Sequence, residues 1–306
     1  MPWWIERVTA LLTPGRLDAL SLGALWRLSE ELTFVRDNVD VTLLPLDFVA
    51  RPRAELVWAS FLARATQVRL ALDVSSQKVA SSIRRQELSP DAFRASWQSL
   101  GFAVNEGNAG TPADDYLDGL FHMARLTLGE ARPMNGTVNM ATRAERAADF
   151  LSVVEPTKDD VVIDLGSGNG KLALIVATST LAQVIGIEYG HSYVEASRTT
   201  SAELGLKNVQ FIEADVRDVD LSNGSIFYLY YPFHGAVALA IAEALGALAT
   251  RRAITLYASG PVAGFGEHFL GQVAAQRLTL TEHRGTWSEV TVLKSVSPQS
   301  KRPPSG

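Results

Sequence analysis

Asp164-Leu165-Gly166-Ser167-Gly168-Asn169-Gly170 places a carboxylate directly ahead of three glycines at alternate positions. Glycine permits positive φ and lets a ligand approach backbone with no Cβ in the way. A helix starting at Gly170-Lys171 would add unpaired N–H groups and the positive end of a dipole. The spacing separates this loop from two phosphate cradles. A G-x-G-x-x-G dinucleotide loop counted from Gly166 needs its third glycine at position 171, which is Lys171. A P-loop needs Gly-Lys-Ser/Thr, and no such triplet ends this loop. A carboxylate at Asp164 also disfavours a pyrophosphate and favours a cationic group such as an amino acid's ammonium. Two further acids follow at similar places. Glu188 closes the apolar run Val184-Ile185-Gly186-Ile187 and can accept from both hydroxyls of a ribose. Asp215 follows Val209–Ile212 and can accept from an adenine amino group, with Val216 packing on the ring.

The elements that must position these residues are legible as alternating patterns. Short runs rich in Val, Ile and aromatics predict strands at Val161–Leu165, Gln183–Ile187, Val209–Ile212, Ser225–Tyr230 and Ala253–Ala258. Helical segments are expected between and after them, at Lys171–Thr178, Ser192–Leu204, Ala236–Leu248 and near Phe265–Ala274. This alternation implies an α/β fold with a parallel sheet and helices on both faces. Leu278–Glu282 and Glu289–Val296, separated by a turn containing Arg284-Gly285-Thr286, are expected to close it as an antiparallel hairpin. In such sheets a ligand sits past the carboxyl ends of the strands.

The three acids and the glycine loop resemble the class I S-adenosylmethionine-dependent methyltransferases. Asp164-Leu165-Gly166-Ser167-Gly168-Asn169-Gly170 is similar to the family's first motif, Glu188 to its second and Ala214-Asp215 to its third. The resemblance spans roughly Thr137 to Val296. It implies a seven-stranded, mostly parallel sheet, S-adenosyl-L-methionine as cofactor, and a cofactor site of Asp164, Gly166, Ser167, Gly168, Gly170, Glu188, Asp215 and Val216. A narrower likeness, carried by Asp164–Gly168 and Ile187-Glu188, is to histone-lysine methyltransferases built on this sheet and to bacterial enzymes that modify protein lysines.

The fourth strand runs into Tyr230-Tyr231-Pro232-Phe233-His234, the place that the resemblance puts beside the transferring methyl. Enzymes of the family acting on nucleobases or glutamine often carry Asn/Asp-Pro-Pro-Tyr/Phe there, and this chain lacks the amide or acid. Tyr230, Tyr231 and His234 are the candidate catalytic residues. Aromatic faces can hold a cationic amine by cation–π contact, or Tyr231 can simply fill the core. His234 can take a proton near neutrality, or serve a structural role at a helix start. By position alone, Asn139, Met140 and Thr142 are candidates to close over the methionine end, while Thr142 with Glu145 also reads as an ordinary helix cap. His122, His191, His268 and His283 show no metal-ligand spacing, and no metal is expected.

Composition bounds the rest. The 306 residues carry a formal net charge of −5 and contain no cysteine. Disulfides, thiolate metal sites and a cysteine nucleophile are therefore excluded. The acidic balance offers no general field for nucleic acid or membrane. The N-terminus does not read as a signal peptide, and Ala236–Ala249 is too short to span a bilayer. Residues 1–132 are expected to be a helical region that covers or selects the target. Helix starts stand at Thr111-Pro112-Ala113-Asp114, Ser89-Pro90-Asp91 and Thr13-Pro14. Trp3, Trp4, Trp26, Trp58 and Trp97 read as its packing aromatics or as a docking surface. Residues 133–297 form the expected methyltransferase domain and 298–306 a disordered tail. The expected activity is transfer of a methyl group to a protein side-chain amine or a small molecule, in the cytoplasm, with nucleic acid an unlikely partner. The alternatives are a small-molecule O- or N-methyltransferase of secondary metabolism and a non-catalytic cofactor-binding subunit. Oligomeric state is not encoded in any pattern found.

Overall fold

The computed structural model describes residues 17–38, 50–103, 111–123, 142–230, 235–259, 278–284 and 290–295. They divide into two compact units, one within Met1–Glu87 and Ser96–Ala124, the other within Leu88–Ala95 and Arg125–Gly306.

In the second unit the alternation predicted from sequence becomes one sheet. Helix α5 (Ala144–Val154) leads into β1 (Val161–Leu165), α6 (Lys171–Ser179), β2 (Gln183–Glu188), α7 (His191–Leu204), β3 (Val209–Glu213), β4 (Ile226–Tyr230), α8 (Gly235–Arg251) and β5 (Thr255–Ser259). Two more strands follow, β6 (Leu278–Arg284) and β7 (Val290–Ser295). The strand order is β3-β2-β1-β4-β5-β7-β6. Five strands are parallel, and β7 pairs antiparallel with both β5 and β6. Val162–Leu165 and Ile226–Leu229 are buried along their whole length, as expected of central parallel strands covered on both faces. Helix α6 is buried all round, from Lys171 to Ser179, so it is a core helix rather than an amphipathic one. Chain order reverses beside β1, whose neighbours are β2 and β4. That reversal opens a crevice at the carboxyl ends of the strands.

The first unit is helical, with α1 (Leu22–Asn38), α2 (Ala50–Arg84) and α4 (Pro112–Phe121) packed on one another; α3 (Pro90–Gln98) straddles the division between the units. The expected cap at Thr111 forms completely: its Oγ1 accepts from the Asp114 N–H while the Asp114 carboxylate accepts from the Thr111 N–H. At α3, the Ala92 N–H donates to Ser89 Oγ at 3.2 Å. Helix α4 ends at Phe121, with His122 in the left-handed region. Helices α1 and α4 approach through glycines: a Cβ on Gly119 would lie 3.1 Å from Trp26 Cβ. Trp97 is fully buried, Trp26 is buried, and Trp58 stacks on Phe61 at 4.9 Å. No helix among the described residues is long and apolar enough to cross a membrane.

Several expectations fall outside the described residues: the 265–274 helix, the 298–306 tail, Thr13-Pro14, Trp3 and Trp4. One expectation is corrected. Arg143, not Thr142, is the N-cap of α5, and it makes no side-chain cap. The Thr142 hydroxyl instead lies 3.4 Å from the Tyr228 hydroxyl, because the chain enters the sheet unit beside β4.

Candidate functional site

The glycine loop closes the gap between β1 and α6. Gly166, Gly168 and Gly170 all have positive φ. Gly170 has a second reason to be glycine. A Cβ there would lie 2.5 Å from Ser197 Oγ and 2.8 Å from the Phe211 ring. The loop is pinned to the neighbouring strand, with the N–H groups of Gly166 and Ser167 both donating to the Ile187 carbonyl at 2.9 Å. Glu188 then ties two loops together. One of its carboxylate oxygens accepts from Gly168 N–H and the other from Gly190 N–H, each at 2.8 Å. A carboxylate has about four acceptor positions, so both oxygens keep capacity for a diol.

Asp164 sits under the loop, only 4% exposed. Burial pushes its carboxyl up to about 7, and the nearby Glu188 carboxylate adds to the rise. An N–H in the first turn of α6, that of Ala173, donates to it and partly offsets this. An acid held near neutrality in a dry position is primed for a cationic partner, whose arrival would keep it ionised. Ser167 Oγ is buried beside it with no hydrogen-bond partner. An orphan hydroxyl in a glycine cradle calls for a ligand group to satisfy it.

The third acid is engaged differently. Asp215 accepts from its own turn, through Arg217 N–H at 3.0 Å, and from the Arg217 guanidinium at 2.9 and 2.6 Å. That guanidinium lowers the Asp215 pKa. Val216 is buried in an apolar cluster with Leu165, Ile187 and Leu229. The structure therefore gathers Asp164, Gly166, Ser167, Gly168, Gly170 and Glu188 around one loop. Asp215 is bonded to Arg217, and Val216 is buried.

Sequence reading missed what lies across the sheet from Asp164. Strand register sets Phe211, Gly186, Asp164, Tyr228 and Tyr257 in one lateral row. Tyr228 stacks on Tyr257 at 5.5 Å, and Phe150 of α5 meets both rings edge-on at 5.4 and 5.2 Å. The Tyr257 hydroxyl donates to Asp149 at 2.6 Å, and Arg146 lies 3.8 Å from the same carboxylate. Burial raises the pKa of both tyrosines, so they stay neutral donors. Only alternation within the strands hinted at this row; the register that builds it is tertiary. Of the candidate catalytic residues, Tyr230 ends β4 and is half-buried. Tyr231 and His234, like Asn139 and Met140, lie outside the described residues. No group of acids and histidines suited to a metal occurs among the described residues.

A doubly wound sheet with a glycine loop at its reversal point has its crevice where ligands of such sheets sit, past the carboxyl ends of the strands. Comparison with known proteins names the class: residues 156–227 match the methyltransferase domain family. This part of the chain is a class I methyltransferase domain, and the cofactor of such domains is S-adenosyl-L-methionine. Among curated proteins, the chain is 30% identical over 151 residues to the 23S rRNA (uracil(1939)-C(5))-methyltransferase RlmD of Stenotrophomonas maltophilia strain K279a, covering 46% of this chain and 34% of that protein. It is 35% identical over 79 residues to RlmD of Marinomonas posidonica, covering 26% and 18%. The chain thus spans about a third or less of the length of these relatives. Solved structures similar to it include an RNA methyltransferase from Salinibacter ruber in complex with S-adenosyl-L-homocysteine (TM-score 0.41, 18% identity, 54% of this chain and 98% of that one). Another is the precorrin-6y C5,15-methyltransferase of Geobacter metallireducens (TM-score 0.43, 14% identity, 53% and 94%).

These relatives correct one expectation. A protein side chain or small molecule was expected as acceptor, and nucleic acid was expected to be an unlikely partner. The matching curated proteins methylate ribosomal RNA. The error has a physical source. A net charge of −5 describes the far field of a whole chain, whereas phosphate contacts depend on local clusters.

Proposed function

We propose that this chain is an S-adenosyl-L-methionine-dependent methyltransferase whose acceptor is RNA. The observation that carries the enzymatic reading is the pairing of buried Asp164 with loop-tying Glu188 around an unsatisfied Ser167 hydroxyl, inside the segment that matches a methyltransferase domain. These residues fit the cofactor. Asp164 would hold its ammonium, the hydroxyl of Ser167 would gain a polar group to bond, and Glu188 has acceptor positions left for the ribose. The cofactor supplies a methyl group already activated on a sulfonium, so the protein's contribution is placement and exclusion of water. The identity to ribosomal RNA methyltransferases supports RNA as the acceptor. Helix α2 supports it as well: Arg51, Arg53, Arg64, Arg69, Lys78 and Arg84 outnumber Glu55 and Asp73 along it, and Arg69, Lys78, Arg84 and the following Arg85 are exposed. The helical unit that bears this helix is then the part that engages the acceptor.

The test is transfer of label. With radiolabelled cofactor and a cell extract separated into RNA, protein and small molecules, the counts should enter RNA. Label confined to protein or to small molecules would overturn the acceptor assignment. Asp164→Ala should abolish both cofactor binding and transfer while retaining the wild-type circular dichroism spectrum.

A further inference from the structure

We infer that Arg146 is the residue that receives the carboxylate of the cofactor's amino-acid end, across from Asp164, with Tyr257 and Asp149 holding its guanidinium in place. This rests on the cofactor reading above and not on the identity of the acceptor. The amino-acid end carries an ammonium and a carboxylate on one carbon. Asp164 suits only the ammonium. A carboxylate moved from water into the crevice loses its hydration, and that cost is offset only if a cation or a set of donors meets it. Arginine is the side chain best shaped for this, because its planar fork of N–H groups matches both carboxylate oxygens.

The fold brings one arginine to the required side. Arg146, Asp149 and Phe150 stand at i, i+3 and i+4 of α5 and so share one stripe. Phe150 meets Tyr228 and Tyr257 edge-on, which turns that stripe toward the tyrosines of β4 and β5. The Arg146 guanidinium donates to the Tyr257 hydroxyl, which itself donates to Asp149 at 2.6 Å. Asp149 lies 3.8 Å from Arg146, beyond hydrogen-bond distance but within ion-pair range. Partial burial opposes the charge of Arg146, yet the Tyr257 bond and the neighbouring Asp149 raise its pKa, so it stays a cation. Its side chain is 20% exposed, neither sealed in the core nor loose on the surface. The Tyr228 hydroxyl links the two poles, within electrostatic reach of Asp164 and of Arg146. Anion, hydroxyl and tethered cation thus follow the strand order β1, β4, β5. Two strand spacings amount to about 10 Å. Two charge-assisted bonds of about 2.8 Å each, with the head group of an amino acid between them, cover that interval.

Calorimetry of the intact protein with two ligands tests this. S-adenosyl-L-homocysteine carries the carboxylate. Its decarboxylated analogue keeps the amine, ribose and adenine and lacks only that group. The wild type should bind the first about thirtyfold more tightly than the second. Arg146→Gln should erase that preference by weakening S-adenosyl-L-homocysteine alone. Arg146→Lys keeps the charge without the fork, and its preference should fall between the two. Tyr257→Phe, which loosens the tether, should reduce the preference a few-fold and leave affinity for the decarboxylated analogue unchanged. Equal weakening of both ligands in Arg146→Gln would overturn the inference and make Arg146 a structural ion-pair partner of Asp149. An undiminished preference in that variant would overturn it as well, and a raised KM for RNA alongside would assign the guanidinium to the acceptor. Equal binding of the two ligands by the wild type would overturn it without any variant having to fold. A wild type that binds neither ligand would overturn the cofactor reading, and this inference with it.

Discussion

The two units bury polar groups for different ends. In the helical unit, two buried acids are engaged by their own unit: Asp114 completes a cap, and Asp115, with an 8% exposed side chain, is paired with Arg27. In the sheet unit, Asp164 is equally buried but its carboxyl is held near neutrality, and Ser167 Oγ beside it lacks any partner. The same contrast shows in the glycines. Gly101 of the helical unit has φ +85°, and a Cβ there would meet nothing within 4 Å, whereas Gly170 has φ +73° and a Cβ there would meet three atoms inside 3 Å. A fold that only has to stand can leave room and close its ion pairs. A site must hold its shape while leaving valences open, and it does so at some cost in stability.

The sharpest way to break this comparison is Gly170→Ala. With a positive φ and neighbours from both Ser197 and Phe211, it should lose about 3 kcal/mol or more, read by chemical denaturation, together with measurable cofactor binding. A loss below about 1 kcal/mol would show that the cradle is not tightly packed. Next comes Arg27→Ala, which removes the guanidinium paired with the buried Asp115 carboxylate. It should destabilise by about 3 kcal/mol yet leave calorimetric cofactor affinity unchanged wherever the protein remains folded. A fall in affinity would mean that the helical unit contributes to the cofactor site.

Asp164→Asn tests the electrostatic half. The folded carboxyl keeps its proton to about 7, while the unfolded one loses it near 3.8. The folded state therefore binds more protons across that window, and stability should fall as pH rises through it, by up to about 4 kcal/mol. Above about pH 7 the slope should vanish. Asn stays neutral, so the variant should lose this slope and be the more stable protein at pH 8, while binding the cofactor far more weakly. Wild-type cofactor affinity should rise with pH up to neutrality, as ionised Asp164 becomes populated. A flat profile for the wild type would remove Asp164 from contact with a cation. The smallest effects are expected at Tyr257→Phe and Gly101→Ala. Each should cost about 1 kcal/mol in thermal unfolding. The first deletes the bond to Asp149, and the second only strains an open turn.

The sequence by itself determined the order and kind of the elements. Val161–Leu165 and Gln183–Glu188 are apolar runs too short for helices, and the glycines of the loop between β1 and α6 can take a conformation other residues resist. Both signals are local, so they survive without knowledge of the rest of the chain. The cap at Thr111 was legible for the same reason. Tertiary structure alone decided what each side chain meets. The parallel register set Tyr228 beside Asp164 and Tyr257 beside Tyr228, packing buried Val216, and a neighbouring guanidinium bonded Asp215. Thr142 turned from an expected cap into a neighbour of the Tyr228 hydroxyl. These outcomes depend on residues far apart in the chain. Register, burial and the resulting pKa of Asp164 are properties of the assembled sheet, which no local pattern contains.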